Sequence, residues 1–116
     1  MKSDSKYNVY FGNAANLEEL KNGEISLVVT SPPYYNAPFD YEGLFKDYDE
    51  YLELLKNMAE QLKKKVAPGR IVAIVTDDML VKGQKYPIVA DTTRAFVDAG
   101  FRYRERITWL KPKIKL

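Results

Sequence analysis

The chain has 116 residues, the size of one domain with a single modest core, and one domain over 1–116 is expected. Its 46% hydrophobic and 13% aromatic content is enough to fold, and 29% charge is ordinary for a soluble surface, so the composition excludes a disordered chain. A formal charge of +2 with pI near 8.7 does not by itself announce a polyanion partner. No apolar run reaches the roughly 18 residues of a membrane span, and the polar start MKSDSKYN lacks a signal-peptide core; a cytoplasmic protein is expected.

In chain order, Tyr7 to Phe11 reads as a short strand closed by Gly12-Asn13. Ala14 to Lys21 predicts a brief helix stopped at Asn22-Gly23, and Ile25 to Thr30 a continuously apolar strand of the kind buried on both faces. From Asp47, a capping Asp is followed three residues later by Glu50. Tyr48, Tyr51, Leu52, Leu55, Ala59, Leu62 and Val66 then recur at helical spacing until Ala67-Pro68-Gly69. The Lys63-Lys64-Lys65 run reads as a solvated last turn favoured by the helix dipole. Arg70 to Thr76 is a second buried strand ending in Asp77-Asp78. A loop through Gly83 leads to Pro87 at a first helical position, and Ile88, Val89, Thr92, Ala95, Phe96 and Ala99 line one side of a helix stopped at Gly100. The segment FRYRERITWLKP sets Phe101, Tyr103, Ile107 and Trp109 against Arg102, Arg104 and Arg106, the pattern of a strand with one basic face.

Alternating strands and helices predict an α/β fold with a mostly parallel sheet and flanking helices, in which ligands sit beyond the carboxyl ends of the strands. Two sequences occupy such ends: Ser31-Pro32-Pro33-Tyr34 and Asp77-Asp78. In the first, the proline rings fix φ, remove two amide donors and leave a stiff pair of carbonyls beside the Ser31 hydroxyl and the Tyr34 ring. Rich in acceptors and offering a stacking face, this loop suits a planar ligand with an NH2 group, such as a base flipped from a duplex. With neither Cys nor His, the chain has no thiolate, usual zinc site or histidine base, and no metal site is expected. Its scattered glycines make neither a G-x-G-x-x-G turn nor a P-loop.

Thr30-Ser31-Pro32-Pro33-Tyr34 resembles the catalytic motif of the DNA amino-methyltransferases, which methylate exocyclic amines with S-adenosylmethionine. Phe11-Gly12-Asn13 followed by a helix and the apolar strand is similar to the opening of family members whose catalytic region precedes the cofactor-binding region, with Asn13 where Asp is common. GRIVAIVTDD resembles the next family strand, and ERITWLKP a later one ending in Trp-x-Lys. The resemblance implies a partial Rossmann-like methyltransferase fold that carries the catalytic half. The Phe-x-Gly-x-Gly cofactor loop and target recognition region would follow Pro112, in a missing carboxyl-terminal half or a partner subunit. It further implies that Ser31, Pro32, Pro33 and Tyr34 are catalytic, that Asn13, Thr30 and Asp77 face S-adenosylmethionine, and that Tyr35, Arg102, Arg104 and Arg106 face double-stranded DNA. The Ser-Pro-Pro-Tyr form points to cytosine N4, with adenine N6 as the alternative.

Other readings of the same residues remain open at this level. Pro32-Pro33-Tyr34-Tyr35 also fits the Pro-Pro-x-Tyr ligand of WW domains, the mark of a noncatalytic binding module. Asp77-Asp78 also fits a turn or helix-capping pair, and the arginine-rich segment a charge-protected sheet edge.

Overall fold

The computed structural model describes residues 7–11, 16–33, 35 and 45–112. At its centre two strands, β1 (Ile25–Thr30) and β2 (Val66–Ile74), pair in parallel, with Leu27 opposite Ile71, Val28 opposite Val72, Val29 opposite Ala73 and Thr30 opposite Ile74. At the amino end the partners jump from Ile25–Val66 to Leu27–Ile71, so β2 bulges through Ala67-Pro68-Gly69-Arg70. Gly69, at φ 76°, makes the turn that lets the ladder resume.

Helix α1 (Tyr48–Lys65) joins the two strands. It begins as its sequence predicts: Asp47 Oδ1 accepts from the Glu50 amide at 2.9 Å, and the Glu50 carboxylate reaches back to the Lys46 amide at 3.2 Å. Its carboxyl end is tied to the approach to β1. The Lys64 carbonyl accepts from the Gly23 amide at 2.9 Å, and Lys65 Nζ donates to the Leu20 carbonyl at 2.8 Å and Asn22 Oδ1 at 3.0 Å. α1 thus runs antiparallel to the strands, its first turn at their carboxyl ends.

After β2 comes a hairpin that the sequence reading missed, β3 (Met79–Val81) and β4 (Gln84–Tyr86), turning at Lys82 (φ 49°) and Gly83 (φ 80°). Two successive positive φ values define a type I′ turn; the available signal was a Gly at the second turn position between short β-prone runs. Helix α2 (Ile88–Asp98) follows, with Pro87 at the cap rather than one position inside. Its end is a Schellman motif. Gly100, at φ 110°, donates to the Val97 carbonyl, Phe101 donates to the Phe96 carbonyl, and the Phe96 and Phe101 rings meet at 5.5 Å. Lys63 Nζ lies 5.2 Å from the centre of the Phe101 ring, so the last turn of α1 is less detached from the body than a purely solvated face.

Both helices cover one face of the sheet. Ala59 and Leu62 of α1, Phe96 of α2 and Val66 form a buried cluster against Val28, Val72 and Ile74. Nearer the strands' carboxyl ends, Tyr35, Phe45, Tyr51, Leu55 and Ile88 form a second cluster, flanked by Tyr48, Tyr86 and Met79. The opposite face is bare among the described residues: Leu27 is 61% exposed, Val29 67%, Ile71 44% and Val75 54%. The expectation of strands buried on both faces is therefore corrected to burial on one, because both helices pack on the same side.

Three expected elements also fail among the described residues. Residues 7–11 and 101–112 form no strand, and of the helix expected over Ala14 to Lys21, residues 16–21 make a turn while Ala14 and Ala15 lie outside the described residues. A strand is held by a neighbour's backbone groups, and no described strand lies alongside either outer segment. Their large apolar side chains stay in solvent, with Phe11 at 96% and Trp109 at 81% exposure. No described helix is long and apolar enough to cross a membrane.

Candidate active site

The parallel pair delivers two loops to one edge. The Val75 amide donates to the Thr30 carbonyl at 2.9 Å, extending the ladder one step past the end of β2 and placing Ser31 next to the exit of β2. Beyond Thr30 the chain is exposed at Ser31, buried at Pro32 and half-buried at Pro33. Two consecutive prolines offer no amide hydrogen, so this stretch can be held only through carbonyls and rings. Both devices are present. The Tyr51 hydroxyl of α1 donates to the Pro33 carbonyl at 2.8 Å. Two residues on, the Tyr35 ring is buried among Phe45, Tyr48, Tyr51 and Tyr86, at centroid separations of 6.3, 5.1, 5.6 and 4.8 Å. The loop is thus pinned on both sides of its exposed serine.

The second strand end resolves the aspartate pair. Asp78 Oδ1 accepts from the Val89 amide at 2.9 Å, capping the first turn of α2, whose own cap residue Pro87 has no side-chain acceptor to offer. Asp77 Oδ1 accepts from the Asp78 amide at 2.8 Å, and Asp77 stays exposed at the sheet edge. Between them and β2, the Thr76 hydroxyl is buried and has no hydrogen-bond partner among the described residues, a polar group at the strand end that sequence reasoning did not single out. Below the loop, Tyr48 donates to Asp91 Oδ2 at 2.6 Å, tying α1 to α2. Burial first, then the Asp91 hydrogen bond and charge, push the Tyr48 phenol well above its ordinary pKa.

The remaining sequence-predicted positions are dispersed. Asn13 and Tyr34 lie outside the described residues. Thr30 is half-buried at the end of β1, and Tyr35 contributes its ring to the core. Arg102, Arg104 and Arg106 are exposed along an irregular segment, not on a strand face, and the Arg104–Glu105 pair at 4.0 Å is a solvated contact. The burial of Pro32 and Tyr35 goes against a WW ligand, which must present its Pro-Pro-x-Tyr to a partner. Tyr51 was legible in the sequence only as a core position of α1; no periodicity signal distinguishes a core tyrosine from one whose hydroxyl holds a loop.

A parallel α/β pair with a serine-proline loop at its carboxyl edge defines the class: an α/β protein of the open-sheet type, in which ligand sites commonly lie at the strand ends. A DNA methylase family model matches residues 25–116, which span all the described strands and helices; the chain belongs to the DNA methylase family. It is 29% identical to the type II methyltransferase M.MthZI of Methanothermobacter thermautotrophicus, across 94% of this chain and 37% of that protein. It is 35% identical to M.MjaVI of Methanocaldococcus jannaschii, across 83% of this chain and 50% of that one. Among solved structures, it matches TTHA0409 of Thermus thermophilus, a DNA modification methylase by assignment, with TM-score 0.65 and 29% identity over 78% of this chain and 39% of that one. The same protein has been solved in complex with S-adenosyl-L-methionine. The chain thus spans between about a third and a half of the length of the relatives it matches.

Proposed function

We propose that the chain is the catalytic portion of a DNA methyltransferase that transfers a methyl group from S-adenosylmethionine to the exocyclic amine of a base flipped out of double-stranded DNA, the N4 amine of cytosine. The observation that supports this reading best is the pinned Ser31-Pro32-Pro33 loop at the carboxyl edge of the sheet in a chain of the DNA methylase family. The Ser-Pro-Pro-Tyr form favours cytosine over adenine.

The described residues fit only the acceptor side of such a site. Ser31, the carbonyl of Pro32 and the exposed Asp77 supply hydrogen-bond acceptors at the strand ends. The described glycines Gly23, Gly69, Gly83 and Gly100 lie in turns elsewhere, so these residues form no backbone cradle for a nucleoside. S-adenosylmethionine would supply an electrophilic methyl group on a sulfonium. Thr30 and Asp77, together with Asn13, are the positions in this chain that would face it. The remainder of the fold, with the cofactor loop and the recognition region, would dock beside β1 and on the bare face of Leu27, Val29, Ile71 and Val75.

The chemistry assigned to this chain is electrostatic. The amine nitrogen of cytosine is a poor nucleophile because its lone pair is delocalised into the ring. When the Ser31 hydroxyl and Pro32 carbonyl accept the two amino hydrogens, they favour a pyramidal nitrogen and stabilise the positive charge that grows on it. Tyr34 would hold the extruded ring by stacking, typically worth about 1–3 kcal/mol per base. Arg102, Arg104 and Arg106 would contact phosphates, a contribution that weakens with salt. No covalent intermediate is needed, in keeping with a chain that has no cysteine.

The test is methyl transfer to duplex DNA by this chain assembled with the remaining portion of the fold, with the digested nucleosides separated by mass. N4-methylcytosine is the expected product, and Ser31→Ala should slow its formation by about 100-fold, the scale seen for loss of one preorganised hydrogen-bonding group. An unchanged rate in Ser31→Ala would remove the catalytic assignment, and N6-methyladenine as product would move the specificity to the alternative.

A further inference from the structure

The pinned loop has two ends and, within its proline pair, one adjustable joint. At one end, the Thr30 carbonyl is bonded to the Val75 amide; at the other, the Pro33 carbonyl is bonded to the Tyr51 hydroxyl. Between them stand Ser31 and Pro32. Ring closure fixes φ of both prolines, and the ring of Pro33 confines ψ of Pro32 to extended values. The soft dihedral left within the proline pair is ψ of Pro33, which sets the direction of the Pro33 carbonyl. That carbonyl is the group Tyr51 holds.

Tyr51 is itself immobile. It is fully buried one turn into α1, with its ring 5.0 Å from Phe45, 6.0 Å from Tyr48 and 5.6 Å from Tyr35. It therefore grips the loop twice, by hydroxyl at Pro33 and by ring at Tyr35. Resting on the catalytic reading above, we propose that Tyr51 is a positioning residue: by holding the Pro33 carbonyl it closes the loop from its second end and so limits where the Ser31 and Pro32 acceptors meet the amine.

The test uses the chain assembled with the remaining portion of the methyltransferase fold, with single-turnover methyl transfer to duplex DNA normalised to folded protein. Tyr51→Phe keeps the ring and removes only the hydroxyl. The rate should fall about tenfold, with affinities for DNA and S-adenosylmethionine unchanged, because displacement of a positioning group by a fraction of an ångström costs rate rather than binding. Tyr48→Phe is the matched control. It stands on the same helix and in the same ring cluster, and it loses a hydroxyl bonded instead to Asp91. It should lower the melting temperature by a similar few degrees and leave the rate intact. Equal loss of rate in both variants, or an unchanged rate in Tyr51→Phe alongside a crippled Ser31→Ala, would overturn the positioning role. Either result would leave the catalytic role of Ser31 standing, whereas an unimpaired Ser31→Ala would overturn both.

Discussion

Adjacent residues of β1 should respond very unequally to the same isosteric change. Val28 and Val29 differ by one position and therefore face opposite sides of the sheet. Val28 packs against the cluster of Ala59, Leu62 and Phe96, while Val29 is 67% exposed. Threonine preserves the volume and the β-branched shape of valine, so strand propensity is nearly constant and the comparison isolates the environment of one hydroxyl. At position 28 the hydroxyl enters an apolar contact with no partner provided, at a cost of about 1–3 kcal/mol. At position 29 two-thirds of the side chain already meets water, and the loss is confined to the covered third of a burial worth about 1.5 kcal/mol, or about 0.5 kcal/mol. Urea denaturation of the chain measures both. Val28→Thr should move the midpoint well below the parent, and Val29→Thr should barely move it. Equal destabilisation by the two would mean that the face carrying Leu27, Val29, Ile71 and Val75 is covered, and the one-sided arrangement of helices would be wrong.

Two further outcomes follow from the site. Asp78→Ala, which removes the acceptor for the Val89 amide, should cost about 1 kcal/mol in denaturant midpoint, as loss of a helix cap does. Asp77→Ala should change stability by less than about 0.5 kcal/mol, as exposed substitutions do. The pH response of Tyr48 has a definite sign. Its folded pKa is raised above the unfolded value of 10.0, so its contribution is fully present below pH 10 and is lost as rising pH ionises the phenol in the unfolded chain. Chemical denaturation across pH 9 to 11 should show the parent losing stability more steeply than Tyr48→Phe. The difference should be less than about 1.4 kcal/mol per pH unit, the limit for one proton, and parallel curves would refute the upward shift of the half-buried phenol.

Much of the local structure was legible because it rests on local chemistry. Asp47 and Glu50 announce the start of α1, and the recurrence of Tyr51, Leu55, Ala59 and Leu62 marks the face that is buried. Gly100 announces the end of α2, and Pro32-Pro33 after an apolar strand announces a stiff loop at a sheet edge. The resemblance carried by Ser-Pro-Pro-Tyr led to the family that residues 25–116 match. The elements misread are those whose existence depends on a distant neighbour. Residues 7–11 and 101–112 have the composition of strands, but composition cannot supply the adjacent backbone that a strand must bond.

The order of strand, helix and strand, the start of α1, the stop of α2 and the rigidity of Ser31-Pro32-Pro33 are written in the sequence, because propensity, capping and proline geometry act within a few residues; the end of α1 is not, since Val66 to Gly69, expected in the helix and its stop, belong to β2. It took the packed fold to choose which strand face is bare among the described residues, to make Asp78 cap a helix starting ten residues later, and to bond Tyr51 to Pro33 across 18 positions. Each of these joins groups far apart along the chain. A carbonyl left without its own amide partners is satisfied by whichever donor the packed fold brings to it, and that choice is made by the positions of whole elements rather than by the residues beside it.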